Sequence, residues 1–269
     1  MSRASWQIGC AALLLGIAPV RAQFNIPSIP GFDPFHAQPS QPATTTPDSN
    51  SFNGLVEMTK GATGVSLQDE LKIGGAVAVD IVARNGGLDR DEAMNHRVIM
   101  IGKSLSAYCA RPELNFRFAV LNSDAVNAFS APGGYVFITR GLYKSVKSDQ
   151  ELAAVLAHEI THIVKRHALK VISRGQFMKG LFDTGGSITN VPAFDSGVHS
   201  ITDALFTKGF DPSAEFEADR GGRSLAASVG YDRGALLEFL EGLFKTEGDS
   251  KSAFPTHPPL SHRIERLEK

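Results

Sequence analysis

The spacing of apolar residues predicts that most of the chain after residue 65 is helical. Apolar side chains recur there at intervals of three and four residues, which places them on one face of a helix. One predicted helix begins with Ser148 and Glu151, which have the spacing of a capping box. The predicted helices cover residues 66–84, 89–110, 148–171, 211–229 and 232–245. We therefore expect a mainly helical domain.

Three short segments between the second and third predicted helices have the pattern of strands. Apolar side chains occupy every second position of residues 115–121, which is typical of a half-buried strand. Residues 126–130 and 135–139 are short apolar segments on either side of a Pro-Gly-Gly turn. Together with the helices, these segments predict an α+β fold with helices around a small sheet.

Two further segments have no regular period. Residues 23–50 contain six prolines among Ser, Thr and Gln, and predict a flexible linker. Residues 173–210 are rich in Gly, Ser, Thr and Asp, and predict irregular structure. After the last predicted helix, a Pro-rich tail contains His257, Pro258 and Pro259.

The N-terminus predicts a cleavable signal peptide. Arg3 supplies a positive charge, residues 8–20 are apolar, and a small-x-small signal favours cleavage after Ala22. These 13 apolar residues are fewer than the roughly 20 that span a bilayer, and no later segment approaches that length. The predicted organisation is signal peptide, Pro-rich linker and folded domain: 1–22, 23–50 and 51–269. We expect the mature protein in the periplasm.

Removal of the signal peptide changes the charge and the cysteine content. The formal net charge falls from −1 to −3 because two arginines are lost. Neither value gives the strongly basic balance that is typical of nucleic-acid-binding proteins, so we expect no DNA or RNA partner. Cys10 lies too early in the chain to be a good lipidation site. Cys109 remains alone, and we interpret it as a core residue rather than a nucleophile.

The third predicted helix contains the motif His158-Glu159-Ile160-Thr161-His162. Residues four apart lie about 40° apart around a helix, so the two imidazoles can bind one zinc ion from the same face. Glu159 can then reach a water on that metal and take its proton. The motif lies among apolar residues, and an unpartnered group of two histidines and a glutamate would be costly to bury. The motif therefore predicts one zinc ion per chain.

A carboxylate from a later helix is the best candidate for a third ligand. Position 168, where metzincins have their third histidine, is alanine, and His167 is about 180° from His158 on a continuous helix. We expect His167 to point away from the metal and to cap the helix C-terminus. Glu215 and Asp219 share a helix face, so Glu215 can bind zinc while Asp219 accepts a hydrogen bond from a histidine ligand. Glu217 projects roughly opposite and is interpreted as solvated.

The combination of His158-Glu159-x-x-His162 with Glu215-x-x-x-Asp219 resembles the gluzincin family that includes HtpX, BepA, LoiP and the CAAX prenyl proteases. The resemblance covers about residues 66–269, and it is strongest to the periplasmic BepA-like branch, without its tetratricopeptide array. Three further stretches carry it: Val126-Asn127-Ala128-Phe129 with Pro132-Gly133-Gly134-Tyr135, Glu151-Leu152-Ala153-Ala154-Val155-Leu156, and Thr256-His257-Pro258-Pro259 with Arg263-Ile264.

The resemblance implies a zincin-like fold, with the small sheet beside the HExxH helix, and roles for four more residues. Asn127 and Ala128 would pair with the substrate backbone by strand addition. His257 would either polarise the oxyanion or act as a fourth ligand that keeps the enzyme latent. Arg263 would support the same corner of the substrate site. The candidate catalytic residues are thus Glu159, His257 and Asp219.

The function that the resemblance implies is zinc-dependent cleavage of internal peptide bonds in unfolded or misassembled envelope proteins. Protein substrates and the outer-membrane assembly machinery are the expected partners. The alternative is a chaperone-like or latent zinc protein that binds outer-membrane clients, with proteolysis secondary. The family commonly has an apolar stretch between its two zinc-binding helices, whereas residues 175–210 are polar. We interpret this segment as a mobile loop that serves as a lid or an exosite.

Overall fold

The computed structural model describes residues 64–174, 191–249 and 256–269. All of them belong to one compact unit that spans Pro47–Lys269. The predicted signal peptide, the linker and the domain boundary at residue 51 lie outside the described residues. None of the helices in the described ranges is long and apolar enough to cross a membrane.

Helices make up most of the described chain, and every predicted helical segment is confirmed as helical. The helices are α1 (Leu67–Arg84), α2 (Glu92–Ser106), α3 (Arg140–Ser145), α4 (Asp149–Val164), α5 (His167–Arg174), α6 (Val191–Lys208), α7 (Pro212–Ser228), α8 (Ala235–Glu247) and α9 (Leu260–Glu268). Side-chain caps define where two of these helices begin: the Ser66 and Ser148 hydroxyls accept N-cap hydrogen bonds from the backbone amides of Asp69 and Glu151. The fold is mainly helical for the reason that the periodicity indicated.

A three-stranded sheet completes the α+β fold and confirms the predicted class. The strands are β1 (Arg117–Leu121), β2 (Ala128–Ala131) and β3 (Tyr135–Thr139), in the order β1-β3-β2. The central strand β3 pairs in parallel with β1 and antiparallel with β2. Gly133 and Gly134, both with positive φ, form the tight turn between β2 and β3. Strand β2 is therefore an edge strand.

Helix α4 lies at the centre of the larger hydrophobic cluster. Its residues from Glu151 to Ile163 are all buried, between β2 and β3 on one side and α2, α7 and α8 on others. Helix α7 approaches α4 especially closely at Gly222, where an added Cβ would lie 2.8 Å from the backbone nitrogen of His158. The absence of a side chain at this position lets the two helices bring their polar residues together.

Three predictions about segment boundaries are corrected. The segment 148–171 is two helices, because the chain turns at Lys165 and Arg166, and Arg166 has a φ of 56°. Residues 191–208 form the helix α6 rather than an irregular loop, with Val198, Ile201 and Leu205 buried at helical spacing. The predicted tail after His257 contains the short helix α9. Residues 175–190 lie outside the described part of the chain.

Candidate functional site

The structure brings four side chains from three parts of the chain to one point. His158 and His162 come from α4, Glu215 from the first turn of α7, and His257 from the segment before α9. The two Nε2 atoms are 3.0 Å apart, and each lies 3.6 Å from a carboxylate oxygen of Glu215. His257 Nδ1 lies 2.5 Å from Glu215 Oε2. One potential ligand atom from each residue lies within 4.8 Å of the others.

This cluster has the donor types and the size of a zinc site. Zinc takes four N or O ligands tetrahedrally at about 2.0–2.2 Å, which places neighbouring ligand atoms about 3.3 Å apart. The separations of 3.0 and 3.6 Å lie on either side of that value. Oε1 of Glu215 is buried and has no hydrogen-bond partner among the described residues, a costly state that a cation relieves. The residues present therefore fit zinc.

The pKa shifts of two of the four residues, Glu215 and His162, also suit a bound cation. Burial favours raising the pKa of Glu215, but His257 and His162 hold it well below its usual range, so the carboxylate is ionised. Burial lowers the pKa of His162 well below that of a free imidazole and keeps the ring neutral. An ionised carboxylate and a neutral imidazole are the protonation states that bind a metal.

Glu159 borders the cluster beside an empty space. Its side chain is only 1% exposed, and Oε1 has no hydrogen-bond partner in the described ranges. A cavity of about 30 Å³ separates it from the edge strand and α6. The residues around this cavity are Ile81, Ala128, Phe129, Ser130, Glu159, Leu205, Phe206, Gly209, Phe210, Thr256 and His257. A buried carboxylate with an unpartnered oxygen is therefore next to space that can admit water.

A buried ion pair lies behind His158. Its Nδ1 is 2.9 Å from Asp219 Oδ1, and Arg263 on α9 donates to both oxygens of Asp219 at 2.6 and 3.1 Å. Burial favours a higher pKa for Asp219, but Arg263 and His158 hold it well below its usual range. Burial and Arg263 each lower the pKa of His158, and the contacts with Asp219 and Glu215 outweigh them and raise it to about 9. The predicted contact between Asp219 and a histidine of the motif is present in this geometry.

A different set of groups lies behind His162. Nδ1 of His162 is 2.9 Å from Nδ1 of His167, and Nε2 of His167 is 3.2 Å from Glu217 Oε2. Lys165 reaches the other oxygen of Glu217 at 2.8 Å. The Phe210 ring stacks on His162, with centroids 4.3 Å apart and planes at 21°. The ring of His162 is thus held at its edge and on its face.

The structure corrects the prediction for His167 and gives Glu217 two partners that the sequence did not predict. His167 was expected to continue the α4 helix and to point away from the metal. It instead begins α5 after the turn at Arg166, and its ring contacts His162. Glu217 was interpreted as solvated, and its side chain is 36% exposed. It also pairs with Lys165 and His167, and the Lys165 hydrogen bond lowers its pKa to about 2. No glycine or proline in the sequence marks the turn that brings these residues together.

The predicted substrate-binding residues differ in their surroundings. The Ala128 backbone belongs to the edge strand beside Glu159. Asn127 is buried, and its side-chain oxygen accepts a hydrogen bond from the Ala128 amide, which helps to begin that strand. Arg263 is 2% exposed and is engaged by Asp219, so its guanidinium holds the corner behind His158 rather than facing a peptide. Substrate contacts of Asn127 and Ala128 stay predictions.

Comparisons with known proteins agree with this geometry. The model of peptidase family M48 matches residues 92–269, a span that contains the whole cluster. The beta-barrel assembly-enhancing proteases of Escherichia coli (strain K12) and Yersinia pestis are 27% and 29% identical to this chain over 228 and 219 residues. Those matches cover 80% and 76% of this chain, and 46% and 43% of the relatives.

A mitochondrial relative extends the same comparison. The mitochondrial metalloendopeptidase OMA1 of Arabidopsis thaliana is 31% identical over 159 residues, or 57% of this chain and 31% of that protein. The chain spans less than half the length of each of these three relatives. The predicted resemblance to the BepA-like branch and the predicted class of enzyme, a metalloprotease, are confirmed by these matches. Because the family model covers more than half of the sequence, the chain belongs to peptidase family M48.

Proposed function

We propose that this protein is a zinc-dependent endopeptidase in which His158, His162 and Glu215 hold the metal. The observation that supports this most strongly is the position of Glu159, whose unpartnered buried oxygen lies beside both the ligand cluster and the edge strand β2. An extended peptide that adds to β2 would pass next to this carboxylate.

The proposed reaction is hydrolysis of an internal peptide bond. Zinc, when bound, lowers the pKa of a water molecule and polarises the scissile carbonyl. Glu159 takes a proton from the attacking water while the oxygen of that water bonds to the carbonyl carbon. Glu159 then gives that proton to the leaving nitrogen as the C–N bond breaks. Asp219 accepts a hydrogen bond from His158 Nδ1 and thereby keeps Nε2 free to face the metal.

The proposed substrates are unfolded or misassembled envelope proteins in the periplasm. An edge strand beside the catalytic carboxylate suits extended chains, which native proteins rarely expose. Both of the bacterial relatives described above carry the name beta-barrel assembly-enhancing protease, and this supports a link to the outer-membrane assembly machinery. The predicted signal peptide agrees with that location.

Substitution of Glu159 tests the proposed reaction. Glu159→Gln keeps the size of the side chain but cannot act as a base, so we expect zinc binding to be retained and cleavage of an unfolded protein to fall by about 10²–10⁴-fold. Metal analysis and a chelator-sensitive digest measure the two properties. Glu238→Gln, at an exposed position of α8, is the matched control and should cleave normally. Full activity in Glu159→Gln would rule out the proposed mechanism.

The position of His257 favours a second candidate function, a latent zinc protein. His257 is among the four residues that each offer one ligand atom to the cluster, so it can complete a four-ligand site and exclude the attacking water. If His257 is a blocking ligand, His257→Ala raises cleavage, and if it stabilises the oxyanion, the same change lowers cleavage. A chaperone-like role is distinguished by Glu159→Gln, which would still prevent aggregation of an outer-membrane client.

A further inference from the structure

A row of three polar side chains extends from the His162 ring to the protein surface. His167 is 3% exposed and lies between His162 and Glu217, while Glu217 and Lys165 are partly exposed. His167 itself is not among the described residues whose ligand atoms converge on the cluster. It contacts a proposed ligand from behind, on the Nδ1 side of the His162 ring.

The proposed metal site determines where the protons of this row lie. Nε2 of His162 faces the other ligand atoms, 3.0 Å from His158 Nε2 and 3.6 Å from Glu215 Oε1. A neutral imidazole that binds through Nε2 carries its proton on Nδ1. His162 Nδ1–H therefore donates to His167 Nδ1 across 2.9 Å. His167 must then carry its own proton on Nε2, which donates to Glu217 across 3.2 Å.

The surrounding contacts leave His167 little freedom to adopt another arrangement. Lys165 fixes Glu217 at 2.8 Å, and Phe210 stacks on the face of His162. Histidine ligands usually donate their second N–H to a carboxylate or a carbonyl. Here a neutral imidazole is the acceptor, and the carboxylate is one group farther away with a lysine beside it. Asp219 contacts His158 directly, whereas Glu217 is separated from His162 by the His167 ring.

We propose that His167 is a positioning residue that fixes the tautomer and the orientation of His162, and that Glu217 and Lys165 hold His167 in place. This inference rests on the proposed zinc site. It assigns a function to a residue that the sequence pattern placed on the wrong side of the helix. Loss of such a partner typically weakens metal binding by 10- to 100-fold.

Zinc affinity of the full chain, measured by chelator competition at constant pH, tests the proposal. His167→Leu removes both hydrogen bonds, and we expect zinc binding to weaken by about 10- to 100-fold. His167→Asn retains an acceptor close to the position of ring Nδ1, so it should recover part of that loss. Unchanged affinity in His167→Leu, or equal weakening in His167→Asn and His167→Leu, would overturn the proposal.

A second pair of variants separates positioning from packing. His167→Gln has a side chain long enough to reach Glu217 but does not present an acceptor at the Nδ1 position, so it should bind zinc more weakly than His167→Asn. This comparison holds even where His167→Leu does not fold, and the reverse order contradicts the proposal. Unfolding of the metal-free variants shows whether packing alone has changed. If the wild-type chain binds no zinc, the proposed function fails. If the wild-type chain binds zinc and the His167 variants bind it equally well, this inference alone fails.

Discussion

His158 and His162 lie one turn apart on α4, yet the groups behind them differ in charge and in exposure. Behind His158, Asp219 and Arg263 form an ion pair whose side chains are 3% and 2% exposed. Behind His162, the charged groups are one residue farther away, and Glu217 and Lys165 are 36% and 45% exposed. One histidine is therefore braced by buried ions and the other by a neutral ring with a surface ion pair beyond it.

The difference in exposure predicts that the two sides contribute differently to folding stability and to metal binding. Breaking a buried ion pair leaves a desolvated charge behind, whereas a surface pair is replaced by water at little cost. Arg263 also connects the last helix α9 to the centre of the domain through Asp219. The His158 side should thus be required for folding, and the His162 side should adjust metal binding with a smaller effect on folding.

The largest expected effect comes from removing the buried carboxylate. Asp219→Ala leaves the Arg263 guanidinium desolvated opposite a small apolar side chain, and we expect a loss of about 3–5 kcal/mol in the free energy of unfolding. Urea unfolding of the metal-free protein measures it. Glu217→Ala, the matched change on the other side, should lose less than about 1 kcal/mol. Equal losses in the two variants would remove the distinction between the two sides.

The sequence predicts one side of this comparison much better than the other. The i, i+4 spacing of Glu215 and Asp219 on a helix is a local property, so the pattern placed both on one face correctly. The contact between His167 and His162 depends on the end of α4 at Val164 and on the positive φ of Arg166. Arg166 lies 3.8 Å from Glu70 on α1, a partner distant in sequence, and no local pattern reveals it.

The dependence on tertiary packing also explains why helix α6 was not predicted from the sequence. Helix α6 has Val198, Ile201 and Leu205 on one buried face. Because polar residues lie between them, the helical spacing of these three residues is not evident in the sequence. The apolar face of α6 becomes recognisable only when α1 and the Phe129 ring are present to cover it. Fold class and the two sequence motifs follow from local spacing, whereas the surroundings of the site depend on tertiary packing.

An intermediate effect is expected where α7 packs against α4. In Gly222→Ala the added Cβ would lie 2.8 Å from the His158 backbone nitrogen, which cannot move without shifting α4. We expect a loss of about 1–3 kcal/mol in unfolding free energy and weaker zinc binding. Gly221→Ala is the control: its Cβ meets the Thr161 side chain, at 2.6 Å from Cγ2, rather than backbone. A larger loss in Gly221→Ala would show that the His162 side is the more rigid one.

The smallest expected effect concerns the charge of Glu217. The Lys165 hydrogen bond lowers the pKa of Glu217 to about 2, below the roughly 4.3 of an unfolded glutamate. A lowered folded-state pKa stabilises the protein above pH 4.3, and this stabilisation is lost as the pH falls towards 2. Because the side chain is over a third exposed, solvent screening keeps the contribution below about 1 kcal/mol.

Glu217→Gln measures that contribution, since the amide oxygen still accepts from His167 but carries no charge. The metal-free wild type should be slightly more stable than Glu217→Gln at pH 7, and the difference should disappear near pH 2. About 1 M salt should also reduce it, because the Debye length falls to about 3 Å. The effect of Asp219→Ala should hardly change with salt, because its ion pair is buried. If the stability loss of Asp219→Ala depended on salt and that of Glu217→Gln did not, the assignment would be reversed. The His162 side would then be the one required for folding, and the His158 side the one that adjusts metal binding.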